Sequence, residues 1–244
     1  MEIKQLIESV PWHHKFEIEP GIVTPGVYAP KGLFQRLRLP NDMSGLRVID
    51  IGARDGYFSF EMEKRGAEVL AVDYCPSKEM GFDVAKQILG SSVQFLQANL
   101  YELPNCDLEK FDIVLCLGVI YHVPDPYLTF EILRALVKDG GKVFLESNNL
   151  DAGFRSVDGE EVEFPNEFSQ YPTAIFTRAN PTNYWCMNYK CLKALAEDTA
   201  FEVIRQETWG KRILMEMTAV NDSKKDGIMK LARGKSLSGL RQKK

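Results

Sequence analysis

The stretch Val48-Ile-Asp-Ile-Gly-Ala-Arg-Asp-Gly-Tyr57 decides how this chain folds. Leu46-Arg-Val-Ile-Asp-Ile51 is a short apolar run that stops at glycine, the pattern of a strand buried in a parallel sheet. Gly52 and Gly56 fall where the chain must turn sharply out of that strand and into a helix. Lacking a Cβ, they can take positive φ and let a ligand approach the backbone. One helix later, Glu68-Val-Leu-Ala-Val-Asp73 reads as a second strand, ending in Asp73. A carboxylate there can accept hydrogen bonds from both hydroxyls of a ribose. A glycine ending a strand is often only a turn, and a carboxylate ending one is often only solvated. Together, on the first two strands of an alternating pattern, they mark a nucleoside-cofactor crevice.

Working outward, the alternation continues. Phe58 to Arg65 reads as a helix stopped by Gly66, and roughly Ser77 to Leu89 as a second. Val93 to Ala98 and Phe111 to Leu117 supply two more strands. Asp125-Pro126 gives an N-cap with proline at the first helical position. Leu128, Ile132, Leu133 and Leu136 form that helix's expected buried stripe, and Gly140-Gly141 its expected stop. Lys142 to Glu146 is a fifth strand. From Asp151 to Met187 the rhythm breaks into an aromatic, proline-containing stretch with little periodicity, the mark of a lid or binding loop. A helix at about Tyr189 to Asp198 and strands Phe201 to Thr208 and Arg212 to Ala219 follow. The connection Trp209-Gly-Lys is short enough to make the last two an antiparallel pair. The predicted fold is therefore α/β: a doubly wound, Rossmann-like, mostly parallel seven-stranded sheet with an antiparallel last hairpin. Its expected domains are an N-terminal cap segment (1–45), a catalytic domain (46–220) with a lid insertion (151–187), and a basic tail (221–244).

The turn itself discriminates between cofactors. A dinucleotide fingerprint would read G-x-G-x-x-G and place a pyrophosphate on the helix N-terminus. Here the pattern is Asp50-x-Gly52-x-x-x-Gly56, with Asp55 near the helix start. Negative charge there repels a pyrophosphate and tolerates a cationic sulfonium. Asp50-Ile-Gly-Ala-Arg-Asp-Gly56 resembles motif I of the class I S-adenosylmethionine-dependent methyltransferases. The resemblance extends through Asp73, Asn99-Leu100, Leu117-Gly118 and the last hairpin, roughly Leu46 to Val220. Where the family often has an acidic residue for the adenine amino group, this chain has Asn99. The resemblance implies S-adenosylmethionine as cofactor and S-adenosylhomocysteine as product. It also implies a binding set of Asp50, Gly52, Ala53, Gly56, Asp73, Tyr74, Asn99, Leu100, Leu117 and Gly118.

A narrower likeness is carried by Pro11-Trp12 with Phe16, by Gly118-Val-Ile-Tyr-His122 with Pro126, and by Lys211-Arg212-Ile-Leu. These resemble the subgroup containing the bacterial wobble-uridine tRNA carboxymethyltransferase, whose members hold a carboxylated S-adenosylmethionine with a lysine, a tyrosine and an arginine. Tyr121 and Arg212 match two of these positions, while Pro11-Trp-His-His-Lys15 places histidines where the lysine falls. The reading is a relative that uses the ordinary cofactor.

Methyl transfer asks a protein to align the acceptor, exclude water and take a proton if the nucleophile carries one. Tyr121 and His122 follow the fourth strand. His122, with an ordinary pKa near 6.5, is the candidate base, and Glu146, ending the fifth strand, is the alternative. Each is also readable as a structural group. Arg178, Tyr184, Trp185 and Arg212 are the candidate acceptor-binding residues, with Arg155 a further cation that could meet an anionic group on the acceptor.

Composition sets the outer bounds. The chain has 244 residues, 45% apolar and 26% charged, enough to bury a substantial core and unlike a disordered chain. Five cysteines do not form a secreted disulfide framework, and three histidines without a CxxC pair argue against zinc. No signal peptide or apolar span is read, so the expectation is a cytoplasmic enzyme without membrane contact. The formal charge of −4 divides into a body of −10 and a tail of +6 from Asn221 onward. Ile228, Met229 and Leu231 could form a short docking helix there. The expected partner is a small-molecule acceptor. The alternative is RNA, with the basic tail tracking phosphates. Oligomeric state is left open.

Overall fold

A computed structural model describes residues 2–156, 158–180 and 182–221, so the basic tail and its expected docking helix lie outside the described residues. The chain begins with helix α1 (Ile3–Glu8), the short strands β1 (Glu17–Glu19) and β2 (Ile22–Val23), and helix α2 (Lys31–Leu37). The alternating part follows as β3 (Arg47–Ile51), α3 (Tyr57–Glu63), β4 (Glu68–Asp73), α4 (Phe82–Leu89), β5 (Gln94–Gln97), β6 (Phe111–Leu117), α5 (Pro126–Leu136) and β7 (Val137–Asn148). Then come β8 (Phe154–Arg155), β9 (Glu161–Val162), β10 (Ala174–Asn180), β11 (Asn183–Met187), α6 (Tyr189–Asp198), β12 (Phe201–Trp209) and β13 (Arg212–Ala219).

Seven strands form the central sheet in the order β12-β13-β7-β6-β3-β4-β5. The pairs among β7, β6, β3, β4 and β5 are parallel, whereas β13 runs antiparallel to both β7 and β12. This is the doubly wound arrangement that the alternation predicts. The chain leaves central β3 toward β4 on one side and returns through β6 on the other, which opens a crevice at the carboxyl ends of these strands. Period-two alternation divides the core between the two faces of the sheet. Ile49 and Ile51 join one apolar cluster with Phe130, Leu133 and Met215, while Val48 joins the other with Phe60, Phe82 and Leu115. Each such fully buried apolar side chain stabilises the fold by about 2 kcal/mol.

Three expectations about the elements need correction. The helix expected over Ser77 to Leu89 is a single 3-10 turn (Ser77–Glu79) followed, after a break, by α4. Gly81 sits at the break, where an added Cβ would meet the Trp12 ring at 2.5 Å, so the indole is seated on bare backbone. Helix α5 stops at Leu136 rather than at Gly140-Gly141, and β7 already pairs with β6 at Val137 before its register shifts. Its buried side chains include Thr129 and Phe130, while Leu128 is only partly covered. Finally, the aromatic stretch has regular structure: β8 pairs with β9 and β10 with β11, both as antiparallel hairpins. The β10–β11 pairing carries aromatic packing such as Phe176 edge-on to Trp185, with ring centres 5.1 Å apart, which periodicity does not reveal.

Candidate functional site

The glycine turn is built around backbone geometry. Gly52 and Gly56 take φ of +80° and +83°, and a Cβ on Gly56 would strike the Phe60 and Phe82 rings within 3 Å. Arg54 between them also has positive φ (+54°), a conformation that costs a non-glycine residue energy. Its amide donates to Asp73 Oδ2 at 2.9 Å, and the Cys75 amide donates to Asp73 Oδ1 at 2.9 Å. The buried Asp73 carboxylate is thereby aimed by one amide on each oxygen, and each oxygen keeps a further acceptor site. Asp50 is buried beneath the turn and accepts from Ser59 Oγ at 2.7 Å. Burial pushes its carboxyl up to about 6, although Ser59 opposes the shift. Asp50 therefore supports the turn from below.

Asp55 performs a task that the pattern did not disclose. Its Oδ2 accepts the amides of His13 (2.7 Å) and His14 (2.8 Å), and its Oδ1 pairs with His14 Nδ1. Desolvation works to raise this carboxyl, but the bonds from His14 and His13 outweigh it and hold it below the ordinary aspartate range. The negative charge is thus spent on the N-terminal segment. That segment closes on itself, with the Val27 and Tyr28 amides donating to the His13 carbonyl and the Lys15 amide to the Tyr28 carbonyl. Gly26 permits this closure, because a Cβ there would lie 2.2 Å from the His14 backbone. His13 and Tyr28 consequently stack, with ring centres 5.8 Å apart. The sequence signal for this strap was present in the adjacent histidines and in an acidic residue at the start of a helix.

Beyond β5, Asn99 caps a 3-10 turn, its Oδ1 accepting the Tyr101 amide at 3.1 Å and its own amide donating to Glu102. The Asn99 side chain therefore keeps an NH2 donor where a carboxylate would present an acceptor. Leu100 is buried next to it and Tyr74 stands largely exposed after β4.

The neighbouring half of the site lies at the carboxyl ends of β6 and β7. Gly118, with φ of +72°, follows Leu117, and a Cβ there would point at the Tyr121 hydroxyl (3.5 Å) and Glu146 Oε2 (3.8 Å). Buried Glu146 is bound by Arg212 from β13, so it is not a free base. Arg212 Nη2 also donates to the Tyr121 hydroxyl at 3.2 Å, and its guanidinium lies 4.9 Å from the centre of that ring. Burial raises the Glu146 pKa despite Arg212, while Arg212 is itself raised, its loss of water outweighed by the carboxylate. Burial likewise raises Tyr121, leaving a neutral phenol. His122 Nδ1 lies 2.8 Å from the Thr182 carbonyl in the β10–β11 turn. A carbonyl only accepts, so Nδ1 carries the hydrogen and Nε2 is the basic nitrogen of the neutral ring. Burial lowers the His122 pKa, and Arg212 and Arg54 add to that, against the raising effect of Thr182.

A cavity of about 370 Å³ opens beside these groups, lined in part by Tyr121, His122, Asn148, Arg155, Lys211 and Arg212. Its size falls within the range of small-molecule sites. Arg178, Tyr184 and Trp185 do not line it. Arg178 lies 5.7 Å from the Tyr184 ring centre, and Trp185 Nε1 donates to the Pro124 carbonyl at 3.3 Å, fastening the hairpin to the core. Lys211 and Glu161 do line it, and neither was singled out as a site residue in the sequence. Among the described residues no cluster of possible metal ligands occurs, and no helix is long and apolar enough to cross a membrane.

Comparison with known proteins places this geometry in context. Residues 27–206 match the model of a family described as a methyltransferase domain. The tRNA U34 carboxymethyltransferase of Campylobacter fetus is 30% identical over 168 residues, covering 66% of this chain and 57% of that protein. The ubiquinone biosynthesis O-methyltransferase of Haemophilus ducreyi is 31% identical over 137 residues, covering 51% of this chain and 57% of its own. The chain thus spans little more than half the length of these curated relatives. Among solved structures, the N-terminal domain of EvdMO1 with SAH bound superposes with a TM-score of 0.63 at 17% identity, covering 90% of this chain and 95% of that one. The Burkholderia thailandensis 1,6-didemethyltoxoflavin-N1-methyltransferase gives 0.56 at 18% identity, covering 78% and 76%.

Proposed function

Because the chain belongs to the methyltransferase domain family, with the class I fold, we propose that it is an S-adenosylmethionine-dependent enzyme methylating a small-molecule acceptor, such as a sugar, lipid precursor or specialised metabolite. The observation that carries this reading is an adjacency. The glycine turn follows β3 and Asp73 ends β4, and beside them, just after β6, Gly118 leads to Tyr121, His122 and a cavity of small-molecule size.

The residues suit the cofactor. Asp73 retains acceptor capacity for two ribose hydroxyls, and Asn99 and Leu100 border the place for adenine, with Tyr74 beside it. Gly52, Leu117 and Gly118 are partly exposed and can meet the amino-acid end, while buried Ala53 and Gly56 shape the turn behind them. The bound sulfonium supplies a methyl group already activated toward nucleophiles. The chain's own work is then to seat the acceptor under the hairpins, exclude water and accept a proton at His122 Nε2. Arg212 fixes Tyr121 at the wall of that space. S-adenosylhomocysteine is the product that remains.

A second reading, tRNA-directed carboxymethyl transfer, is favoured by the Campylobacter relatives. It calls on Tyr121 and Arg212 to hold a cofactor carboxylate, and here Glu146 already engages both the Arg212 guanidinium and the space beside Gly118. The ordinary cofactor is therefore preferred. Calorimetry tests the proposal: S-adenosylhomocysteine should bind, and Asp73→Ala should weaken it about 100-fold, since a charged group loses two hydrogen bonds. Unchanged binding by that variant refutes the site. Mass spectrometry of ligand released from the purified protein separates the ordinary from the carboxylated cofactor.

A further inference from the structure

We propose that the cavity under the β8–β9 hairpin is an anion subsite, and that the acceptor is a small molecule carrying a carboxylate or phosphate group. The inference rests on the methyltransferase reading for the word acceptor, but its physical basis is independent of it. Three permanent cations, Arg155, Lys211 and Arg212, line the cavity, against one carboxylate, Glu161. Arg212 is neutralised from below by Glu146. Arg155 and Lys211 share the single carboxylate of Glu161, with Lys211 bonded to it and Arg155 4.0 Å away. Among the lining side chains the cations then exceed the carboxylates by one, while Asp151, Asp158, Glu160 and Glu163 stand exposed nearby without lining the cavity.

The donors are arranged to receive an anion. Arg155 uses Nε on the Gly159 carbonyl at 3.0 Å, which fixes the plane of its guanidinium and leaves the two terminal nitrogens to act together. Lys211 has three ammonium hydrogens, of which Glu161 takes one. All three partners are more than half exposed, so the bridge to Glu161 is a weak competitor that an entering oxyanion can displace. His122 lines the same cavity, so an acceptor held by its anionic end occupies the compartment that also contains the candidate base. The cavity volume of about 370 Å³ suits a small molecule.

The test uses three probes on the full chain with and without S-adenosylhomocysteine: benzoate, phenyl phosphate and the neutral benzyl alcohol. Ligand-observed NMR titration should show saturable binding of at least one anion and none of the alcohol. The tighter anion identifies the group as carboxylate or phosphate. Arg155→Ala/Lys211→Ala should weaken the anion about tenfold, with circular dichroism and cofactor-product affinity serving as controls of folding. Binding of the alcohol as tightly as the anions, failure of both anions to bind, or an unchanged affinity in the double variant overturns the proposal. Displacement of the bound anion by a short single-stranded RNA, lost in the double variant, would reassign the cations to nucleic acid and equally overturn it. If the anions bind but S-adenosylhomocysteine does not, the subsite stands and the methyltransferase reading falls.

Discussion

The two halves of the crevice are assembled by different means. Around the glycine turn the key bonds are short in sequence: Ser59 to Asp50 spans 9 residues and Arg54 to Asp73 spans 19. At the ends of β6 and β7 they are long, with Arg212 to Tyr121 spanning 91 residues and His122 to Thr182 spanning 60. The first half uses backbone amides and bare glycines, which a local pattern specifies. The second uses side chains brought together by the antiparallel hairpin and the aromatic insertion, so its chemistry exists only after the sheet has closed. A cofactor common to a whole family suits the first design, and an acceptor that differs among members suits the second.

His122 offers the sharpest way to break that contrast, because it belongs wholly to the second half. His122→Ala should lower turnover by about 10³-fold if it is the base, while leaving cofactor-product affinity within about twofold. The pH profile carries the sign. A base works when neutral, so activity should rise with pH and reach half its plateau below the ordinary histidine value of about 6.5, because burial lowers the His122 pKa. The variant should lose this limb. An equal loss of cofactor affinity would show that the halves are not separable.

Glu146 comes next in expected size. Removing one partner of a buried pair leaves the other charge uncompensated, so Glu146→Ala should cost about 3 kcal/mol of stability. In a chain of this size that corresponds to a melting temperature lower by roughly 6–12 °C. Added acetate should restore part of the loss by filling the vacated carboxylate position. Full stability without acetate would mean that Arg212 finds solvent, and the preference for the ordinary cofactor would lose its ground.

The same contrast explains what could be read in advance. Strand β6 and helix α6 are predicted to the residue, and the parallel sheet with its antiparallel last pair follows from alternation plus the short Trp209-Gly-Lys connection, while the strand order itself is read only from the structure. Apolar runs bounded by glycine or by caps such as Asp125 and Asn188 carry that information locally. Glu146 and Arg212 could each be picked out as polar residues at strand ends, but nothing local says that they pair across β7 and β13. Lys211 and Glu161 are ordinary surface residues until two hairpins meet over a cavity. The β8–β9 hairpin is hidden because its strands are only two residues long, and β10–β11 because ring contacts such as Phe176 with Trp185, rather than alternation, accompany its pairing.

One residue on the cofactor side departs from the rule and gives the smallest expected effect. Asp55 reaches 41 residues back to His14, which fastens a distant strap over a turn that is otherwise locally built. Because the folded-state pKa of Asp55 is lowered, its contribution is fully present above the unfolded value of about 3.9 and is lost as pH falls through the folded value. Asp55→Asn keeps an acceptor for the two amides but removes the charge, so it should cost only about 1–2 kcal/mol at neutral pH. It should also flatten the acid limb of the stability curve. Limited proteolysis locates the change: if Asp55 fastens the strap, cleavage should rise between Trp12 and Tyr28 and nowhere in β3 or β4. Faster cleavage throughout would instead make Asp55 a support of the glycine turn itself, and the local design of that half would extend to its acidic residue.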